Sequence, residues 1–524
     1  MKTSLYYSIT LTVMLQLCGA YKILMLFAFP SRSHSLLGYG IVRNLLEAGH
    51  EVTYVTPFPK EKLPKNLTQI DISSVLGAMN SKIDIKAILD KEDDYNDQTN
   101  FLTMIYNITE STLKHKEIQK MFYDQDIHFD AIIAEWLFSD IYSAVQTIYD
   151  CPFIWLSSCD PHWAAFMLID EATNPAYVPN IVSGDLPPLS FLQRVKELLI
   201  QTIAYSFKEL YFVRTEAALY EEIFTPILKQ RGKPLPPYLD VKFNISLMFG
   251  NSHVSTGQSV SLPQSYKPIG GYHVDPKTAP LPQDLQKHMD NAKYGVIYFS
   301  LGSNVKSKDL PESIKKSLLQ MFGGLKQTVL WKFEEDLENL PKNVHILKWA
   351  PQTSILSHPN CRVFITHGGM LSTTETVHFG VPIIGIPVFA DQFSNVQRAV
   401  QSGFAIRVDL SYDMSGKLKV AIEEILSDNI YTERVKELSW IYHDRPVAPG
   451  AELVHWVQHV VRTRGAAHLR SPALTTPLYQ KMYLDLAALV LVISIVTYKL
   501  IKKGFKILCS SKKQTKTSTN KKKN

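Results

Sequence analysis

The sequence predicts an α/β chain: two doubly wound, Rossmann-like domains facing a cleft, followed by one C-terminal transmembrane helix. Three observations lead there. Apolar, β-branched runs alternate with helical-period segments in each half of the chain. An interval rich in proline and glycine, from about Val254 to Leu285, divides the halves. The uncharged stretch Leu486–Tyr498 lies just ahead of a lysine-rich end.

The first half opens with the apolar run Lys22–Phe29, then a Pro-Ser-Arg-Ser-His loop over Pro30–His34. Leu36–Ala48 carries apolar residues at helical spacing, Gly49-His50 ends it, and Glu51–Thr56 reads as a strand, completing a β-loop-α-β unit. A strand over Phe129–Ala134 ends at Glu135-Trp136, and another over Phe153–Leu156 runs into two serines. Leu192–Tyr211 is a long amphipathic helix pattern, compatible with a core helix or with a membrane surface. Pro263, Pro268, Gly270, Gly271, Pro276, Pro280 and Pro282 then mark the inter-domain connection. The second half restarts with a strand at Val296–Leu301 and a helix near Pro311–Phe322. Strands at Thr328–Lys332, Val344–Leu347 and Val363–Thr366 follow, then a helix after His367-Gly368-Gly369 and a strand at Pro382–Pro387.

Charge counting removes a nucleic-acid reading. The formal net charge of the 524 residues is +6, but Lys499–Asn524 holds ten lysines and no acid, so the rest is net negative. The termini point to a membrane system. Met1–Ala20 has the charge, short apolar core and small residues of a secretory signal. Leu486–Ile501, with Lys499 inside it, makes a helix of about 24 Å, enough for a thin bilayer if that lysine snorkels. The lysines that follow place the tail in the cytosol and the body in a lumen. Sequons at Asn66, Asn107 and Asn244 agree with a lumenal body. Lys521-Lys522 near the end resembles a dilysine retrieval signal of the endoplasmic reticulum. Of the five cysteines, Cys151, Cys159 and Cys361 fall in the body, an odd number; no zinc spacing is present.

The chemistry concentrates in the second half. His367-Gly368-Gly369 sits where a strand turns into a helix, whose free N–H groups and partial positive charge suit a diphosphate. Neither GxGxxG nor GxxxxGK[ST] is present. Ser303 ends a neighbouring strand and suits a phosphate contact. Glu375, two turns into the helix, suits ribose hydroxyls, although spacing alone favours a surface glutamate. Trp349 and Gln352 follow another strand, offering an aromatic face and an amide for a base. Asp391-Gln392 suits sugar hydroxyls.

Phe364-Ile-Thr-His-Gly-Gly, Ser372, Glu375, Pro382-Ile-Ile-Gly-Ile-Pro387 and Asp391-Gln392, preceded by Trp349-Ala350-Pro351-Gln352, resemble the donor-binding signature of the UDP-glycosyltransferases. The layout resembles the animal membrane-bound members, and the wording around Met370–Glu375 the insect ones. The resemblance implies a GT-B fold and inverting transfer of a hexose, glucose by analogy with the insect members, from a UDP-sugar to a small lipophilic acceptor. By carry-over, Trp349 stacks on uracil with Ala350 and Gln352 near the base or ribose, and Glu375 takes the ribose. Ser303, His367, Gly368 and Gly369 hold the diphosphate, Ser372 belongs to the same site, and Asp391 and Gln392 hold the sugar.

The family's catalytic histidine corresponds to His34. An inverting displacement needs a base for the acceptor's proton, and histidine titrates in the right range. A carboxylate should orient it. Where relatives carry an aspartate this chain has Glu135, a methylene longer, so Glu135 is preferred and Asp140 is the second candidate. Asp124-Gln125-Asp126 reads as a solvated loop rather than a metal motif, so no essential metal and no cofactor beyond the UDP-sugar co-substrate is expected. The implied layout is a signal peptide over 1–20, an acceptor-binding domain over 21–275 and a UDP-sugar-binding domain over 286–445. A helical return spans 446–482, a transmembrane helix 483–501 and a cytosolic tail 502–524. The expected setting is the endoplasmic reticulum membrane, single-pass type I, with a detoxifying role. The expected partners are donor, acceptor and membrane but no nucleic acid, with a homo-oligomer left open. A UDP-sugar-binding membrane protein without turnover is the alternative, and a UDP-sugar epimerase a looser third.

Overall fold

The computed structural model describes residues 19–78, 84–90 and 98–519. The signal-peptide reading therefore falls almost wholly outside the described residues, as does the dilysine pair. Contacts divide the chain at Ser471/Pro472 into two units.

The first unit contains two parallel sheets. Their central strands run almost uniformly apolar and buried, as parallel strands covered on both faces must. In the first half these are β1 (Lys22–Leu26), β2 (Glu51–Thr56), β3 (Leu67–Asp71), β4 (Ala131–Trp136), β5 (Phe153–Ser157), β6 (Leu247–Gly250) and β7 (Tyr266–Pro268). In the second they are β8 (Val296–Ser300), β9 (Thr328–Lys332), β10 (Val344–Leu347), β11 (Cys361–Thr366), β12 (Ile383–Gly385) and β13 (Ala405–Arg407). The strand orders are β3-β2-β1-β4-β5-β6-β7 and β10-β9-β8-β11-β12-β13. Each order reverses once, between β1 and β4 and between β8 and β11. Those are the switch points outside which a doubly wound sheet takes its ligand.

Side chains alternate between faces as the pleat requires. In β1, Ile23 and Met25 join one core and Leu24 and Leu26 the other. In β8, Ile297 and Phe299 face one core and Val296 and Tyr298 the opposite one. The helices that bear on function are α1 (Arg32–Glu47), α2 (Phe191–Phe207), α3 (Val213–Gln230), α4 (Met370–Phe379), α5 (Gln392–Gln401) and α6 (Pro449–Arg462). α6 follows the second sheet yet packs on the first. Leu453, Val457 and Val460 enter the core that holds Ile23, Leu37 and Ile41. At about 1.5–3 kcal/mol for each fully buried side chain, that stripe ties the halves together.

Three expectations change. The loop after β1 is shorter than Pro30–His34: α1 begins at Arg32, with Ser31 at its N-cap in extended backbone, so His34 is helical. Glu135 lies within β4 rather than beyond it. The proline-rich connection contributes β7, which pairs with β6 as an outermost strand. Pro268 is tolerated there because an edge strand needs no further ladder donor.

The second unit contains α7 (Leu484–Thr519). Leu484–Ile507 is long and apolar enough to cross a bilayer, its most apolar 18 residues having a mean hydropathy of 2.1. It extends past the expected end at 501, because lysine is a good helix former and does not stop the helix.

Candidate active site

Strand register assembles the first cluster. Leu26 of β1 lies opposite Ala134 of β4, so Glu135 is carried beside the turn that leads into α1. His34 Nδ1 meets Glu135 Oε1 at 2.5 Å. Glu135 is buried and its other oxygen, Oε2, has no hydrogen-bond partner. Among the described residues no protein group hydrogen-bonds His34 Nε2. Burial works against the imidazolium. The Glu135 carboxylate, through charge and hydrogen bond, and then Asp391 outweigh burial, so the His34 pKa lies above its ordinary value. Phe29 packs edge-on against the imidazole, with centroids 4.6 Å apart.

Asp140 is not brought to His34. Fully buried, it accepts from Trp136 Nε1 at 2.8 Å and pairs with Lys208 at 3.0 Å and Lys242 at 3.3 Å. Burial opposes its ionisation, but the two ammonium groups hold its carboxyl below the usual range. Neighbouring Glu216 accepts from Ser139 Oγ, the Asp140 amide and Tyr238 OH. Of the two candidate carboxylates, Glu135 touches the histidine and Asp140 braces the end of β4 through Trp136.

A small pocket opens beside this pair, lined by Phe29, Ile105, Ile108, Leu137, Tyr142 and Glu135 among others. Its walls are mostly apolar, and the unpartnered Glu135 Oε2 and Tyr142 hydroxyl are its polar groups without protein partners.

The second cluster forms at the other switch point. Thr366 of β11 pairs with Ser300 of β8, which sets His367 against Gly302. A Cβ on Gly302 would come within 2.5 Å of the imidazole, and one on Gly369 within 2.6 Å. Gly302 and Gly368 hold φ of +89° and +80°, which side chains rarely adopt. Ser303 continues the same turn. Gly369 caps α4 with no side-chain cap bond and no acid in the first turn, so its leading N–H groups are available to an anion. Burial, helped by Lys332, pushes His367 down to about 4, and its Nδ1 has no partner. His367 is thus a neutral hydrogen-bonding group at pH 7 and not a cation. Lys332 Nζ donates to the Gly302 carbonyl and to Glu334.

Glu375 is buried rather than on the surface. It accepts from Gln352 Nε2 at 2.6 Å and lies 3.6 Å from His273 Nε2. Gln352 also donates to Ser372 Oγ and accepts from Tyr298 OH. Ala350 is buried beneath them, whereas Trp349 is 55% exposed, with the Arg32 guanidinium 5.4 Å from its ring centre. An exposed indole at a cleft is a stacking platform rather than core.

Asp391 follows Ala390, whose φ of +56° is strained for a residue with a side chain. Burial raises the Asp391 pKa despite a hydrogen bond from Asn395 and the nearby His34. Asn395 Nδ2 bridges Asp391 Oδ2 and the Gly368 carbonyl. Gln392 Oε1 accepts from the amides of Val388 and Phe389, leaving only its N–H groups for a sugar.

The two clusters meet across the cleft. Ser31 Oγ donates to Asn304 Oδ1 at 3.0 Å, Gly184 N to Ser394 Oγ at 3.2 Å, and Asp160 pairs with Arg398. Sequence reading does not select Arg32, Asn304, His273, Lys332 or Asn395. Only Lys332, at a strand's carboxyl end, carries a readable signal. Asp124 and Asp126 form an exposed turn in which Asp124 Oδ1 accepts from the Asp126 amide. Cys151, Cys159 and Cys361 are unpaired. Asn66 and Asn107 are exposed, but the Asn244 amide already donates to Gln146 Oε1 and accepts from Arg470.

Solved glycosyltransferases share this architecture. A UDP-glucosyltransferase from Polygonum tinctorium superposes with a TM-score of 0.54 at 15% identity, covering 85% of this chain and 99% of the other. The spinosyn forosaminyltransferase SpnP gives 0.55 at 12% identity, covering 84% and 99%. At such identity the likeness defines the fold: a GT-B glycosyltransferase fold carrying one C-terminal apolar helix. The model of the family described as "UDP-glucoronosyl and UDP-glucosyl transferase" matches residues 25–518. UDP-glucosyltransferase 2 of Dactylopius coccus is 33% identical over 493 residues, 92% of each chain. UDP-glucuronosyltransferase 2B13 of Oryctolagus cuniculus is 31% identical over 331 residues, 63% of this chain and 60% of its own. The chain belongs to the UDP-glycosyltransferase family and is an enzyme that transfers sugar from a UDP-sugar.

Proposed function

We propose that this enzyme transfers glucose, with inversion, from UDP-glucose to a hydroxyl of a small lipophilic acceptor, with His34 as general base. The contact between His34 Nδ1 and Glu135 Oε1 carries the reading. That bond fixes the tautomer with the proton on Nδ1 and leaves Nε2 to accept. The acceptor oxygen attacks the anomeric carbon, the bond from that carbon to the phosphate oxygen breaks, and the acceptor's proton passes to Nε2. The imidazolium that results sits against Glu135, its natural counter-charge.

UDP leaves as an anion. The α4 amides, His367 and the Gly302 turn suit its diphosphate, and no step needs a metal. Trp349, Ala350, Gln352, Ser372 and Glu375 suit uridine, and Asp391 and the Gln392 amide suit the hexose. The mostly apolar cavity beside Glu135 supports a lipophilic acceptor. Glucose rests on the Dactylopius coccus relative's name. The apolar first part of α7, with lysines from Lys499 onward, supports a membrane anchor with a cytosolic tail, and we assign the body to the lumen of the endoplasmic reticulum.

The test is turnover of UDP-glucose against a phenol panel, with the product's anomeric configuration read by NMR. A β-glucoside is expected. His34→Ala should lose about 10²–10⁴-fold in kcat while still binding UDP. An α-glucoside, or full turnover in that variant, would overturn the reading.

A further inference from the structure

The connection between the two sheets brings an imidazole from the first half of the chain to the donor cluster of the second. His273 lies just past β7, and its side chain is 4% exposed. Neither Nδ1 nor Nε2 has a hydrogen-bond partner among the described residues. Buried polar groups are nearly always paired, so an imidazole open at both nitrogens calls for a state of the protein in which it is met. Its Nε2 faces Glu375 Oε1 at 3.6 Å, a charge contact roughly 0.5 Å beyond hydrogen-bond length. The other carboxylate oxygen, Oε2, already accepts from Gln352 at 2.6 Å. Gln352 and His273 thus stand at the two edges of one carboxylate.

The backbone that carries His273 is fixed from both sides. Arg43 Nη2 donates to the carbonyls of Tyr272 and Val274 at 2.9 and 3.1 Å, and Asn44 Nδ2 to that of Tyr272 at 3.1 Å. A Cβ on Gly40 would come within 2.7 Å of the His273 Cα. From the second half, Tyr442 OH donates to the Gly270 carbonyl at 3.4 Å. Gly40, Arg43 and Asn44 belong to α1, whose first turn carries His34. One helix therefore positions both His34 and an imidazole directed at the carboxylate proposed for the ribose.

We propose that His273 is a positioning residue for the donor, acting through Glu375 to fix the carboxylate that accepts from the ribose hydroxyls. As those hydroxyls draw Glu375 into place, the Nε2 N–H donates to Oε1 while Gln352 keeps Oε2, so both oxygens are held in one plane. Because α1 grips the His273 backbone, a donor seated on Glu375 is registered against His34. This deepens the proposed reaction and rests on Glu375 meeting the ribose.

The test measures the full chain in detergent micelles, by calorimetry with UDP and with its 2′,3′-dideoxy analogue. His273→Gln keeps an amide N–H where Nε2 stood, whereas Asn is a methylene shorter and holds its amide about 1.5 Å back. His273→Asn should weaken UDP roughly ten-fold and leave the analogue within about two-fold, while His273→Gln stays near wild type for both. KM for UDP-glucose should rise in His273→Asn by more than kcat falls. In a Glu375→Ala background the same substitution should weaken UDP no further. Equal behaviour of the Asn and Gln variants, a loss shared by both nucleotides, or a full further loss in Glu375→Ala would overturn the proposal. A wild type that binds UDP without preferring it to the analogue would remove the ribose assignment of Glu375, and this inference with it. A wild type that shows the preference and sorts the two variants, yet forms no glucoside, would overturn the proposed reaction and leave this inference standing.

Discussion

Replacing Glu135 by Gln keeps the shape of the side chain and removes its charge. On the proposed mechanism, the imidazolium formed during transfer faces a buried carboxylate at 2.5 Å. The substituted amide would leave a neutral carbonyl in its place. A hydrogen bond to a charged group contributes about 1.5–3 kcal/mol, so kcat should fall roughly ten- to 150-fold. The pH profile should move too. The base must be unprotonated, so kcat/KM rises with pH through the His34 pKa, which the carboxylate holds above the ordinary value. Without that charge, burial dominates and the rising limb should shift to lower pH. Steady-state kinetics across pH, with UDP affinity as a control, reads both effects. Glu135→Asp should fall between the two, because one methylene withdraws the carboxylate by about 1.5 Å. Wild-type kcat in Glu135→Gln with an unmoved limb would refute the dyad.

Asp140→Ala should behave differently. It strands Lys208 and Lys242 in a buried site, and losing one partner of such a cluster costs about 3–5 kcal/mol of stability. Urea unfolding should show that loss while the acid limb of kcat/KM stays in place. Glu375→Ala should weaken UDP by about 1.5–3 kcal/mol and erase the preference for UDP over its 2′,3′-dideoxy analogue, both measured by calorimetry. Acid should destabilise the fold. Burial first, with neighbouring cations, holds His162 near about 3 and His253, His367 and His378 near about 4. The unfolded chain binds those protons near pH 6.5. The stabilisation is therefore present above pH 6.5 and is lost as pH falls towards those values, and the melting temperature should drop over that range. His34 has the opposite sign: its contribution is complete below pH 6.5 and fades as pH rises through its raised value.

The proposed donor half of the site is readable in the sequence because each residue is local to a strand end or helix start. His367, Gly368 and Gly369 announce a tight turn into a helix, and Trp349 and Gln352 follow the next strand end. The acceptor half depends on register. Choosing between Glu135 and Asp140 requires knowing that β1 pairs with β4, and that Trp136 and two distant lysines already occupy Asp140. The sequence places His34 in a loop because Pro30 and two serines read as breakers, yet Ser31 stands at the N-cap of α1. In α2, periodicity reveals an apolar stripe but not which face points outward. Partners far along the chain decide that, Asn180 for Glu197 and Asp140 for Lys208.

The whole account rests on where the nucleotide sits, and a crystal structure with UDP tests that most directly. Its phosphate oxygens should accept from the first amides of α4 and lie within hydrogen-bond distance of His367. The ribose should meet Glu375, and uracil should lie against Trp349. UDP bound elsewhere, with the amides at Gly369 and Met370 unoccupied, would contradict it.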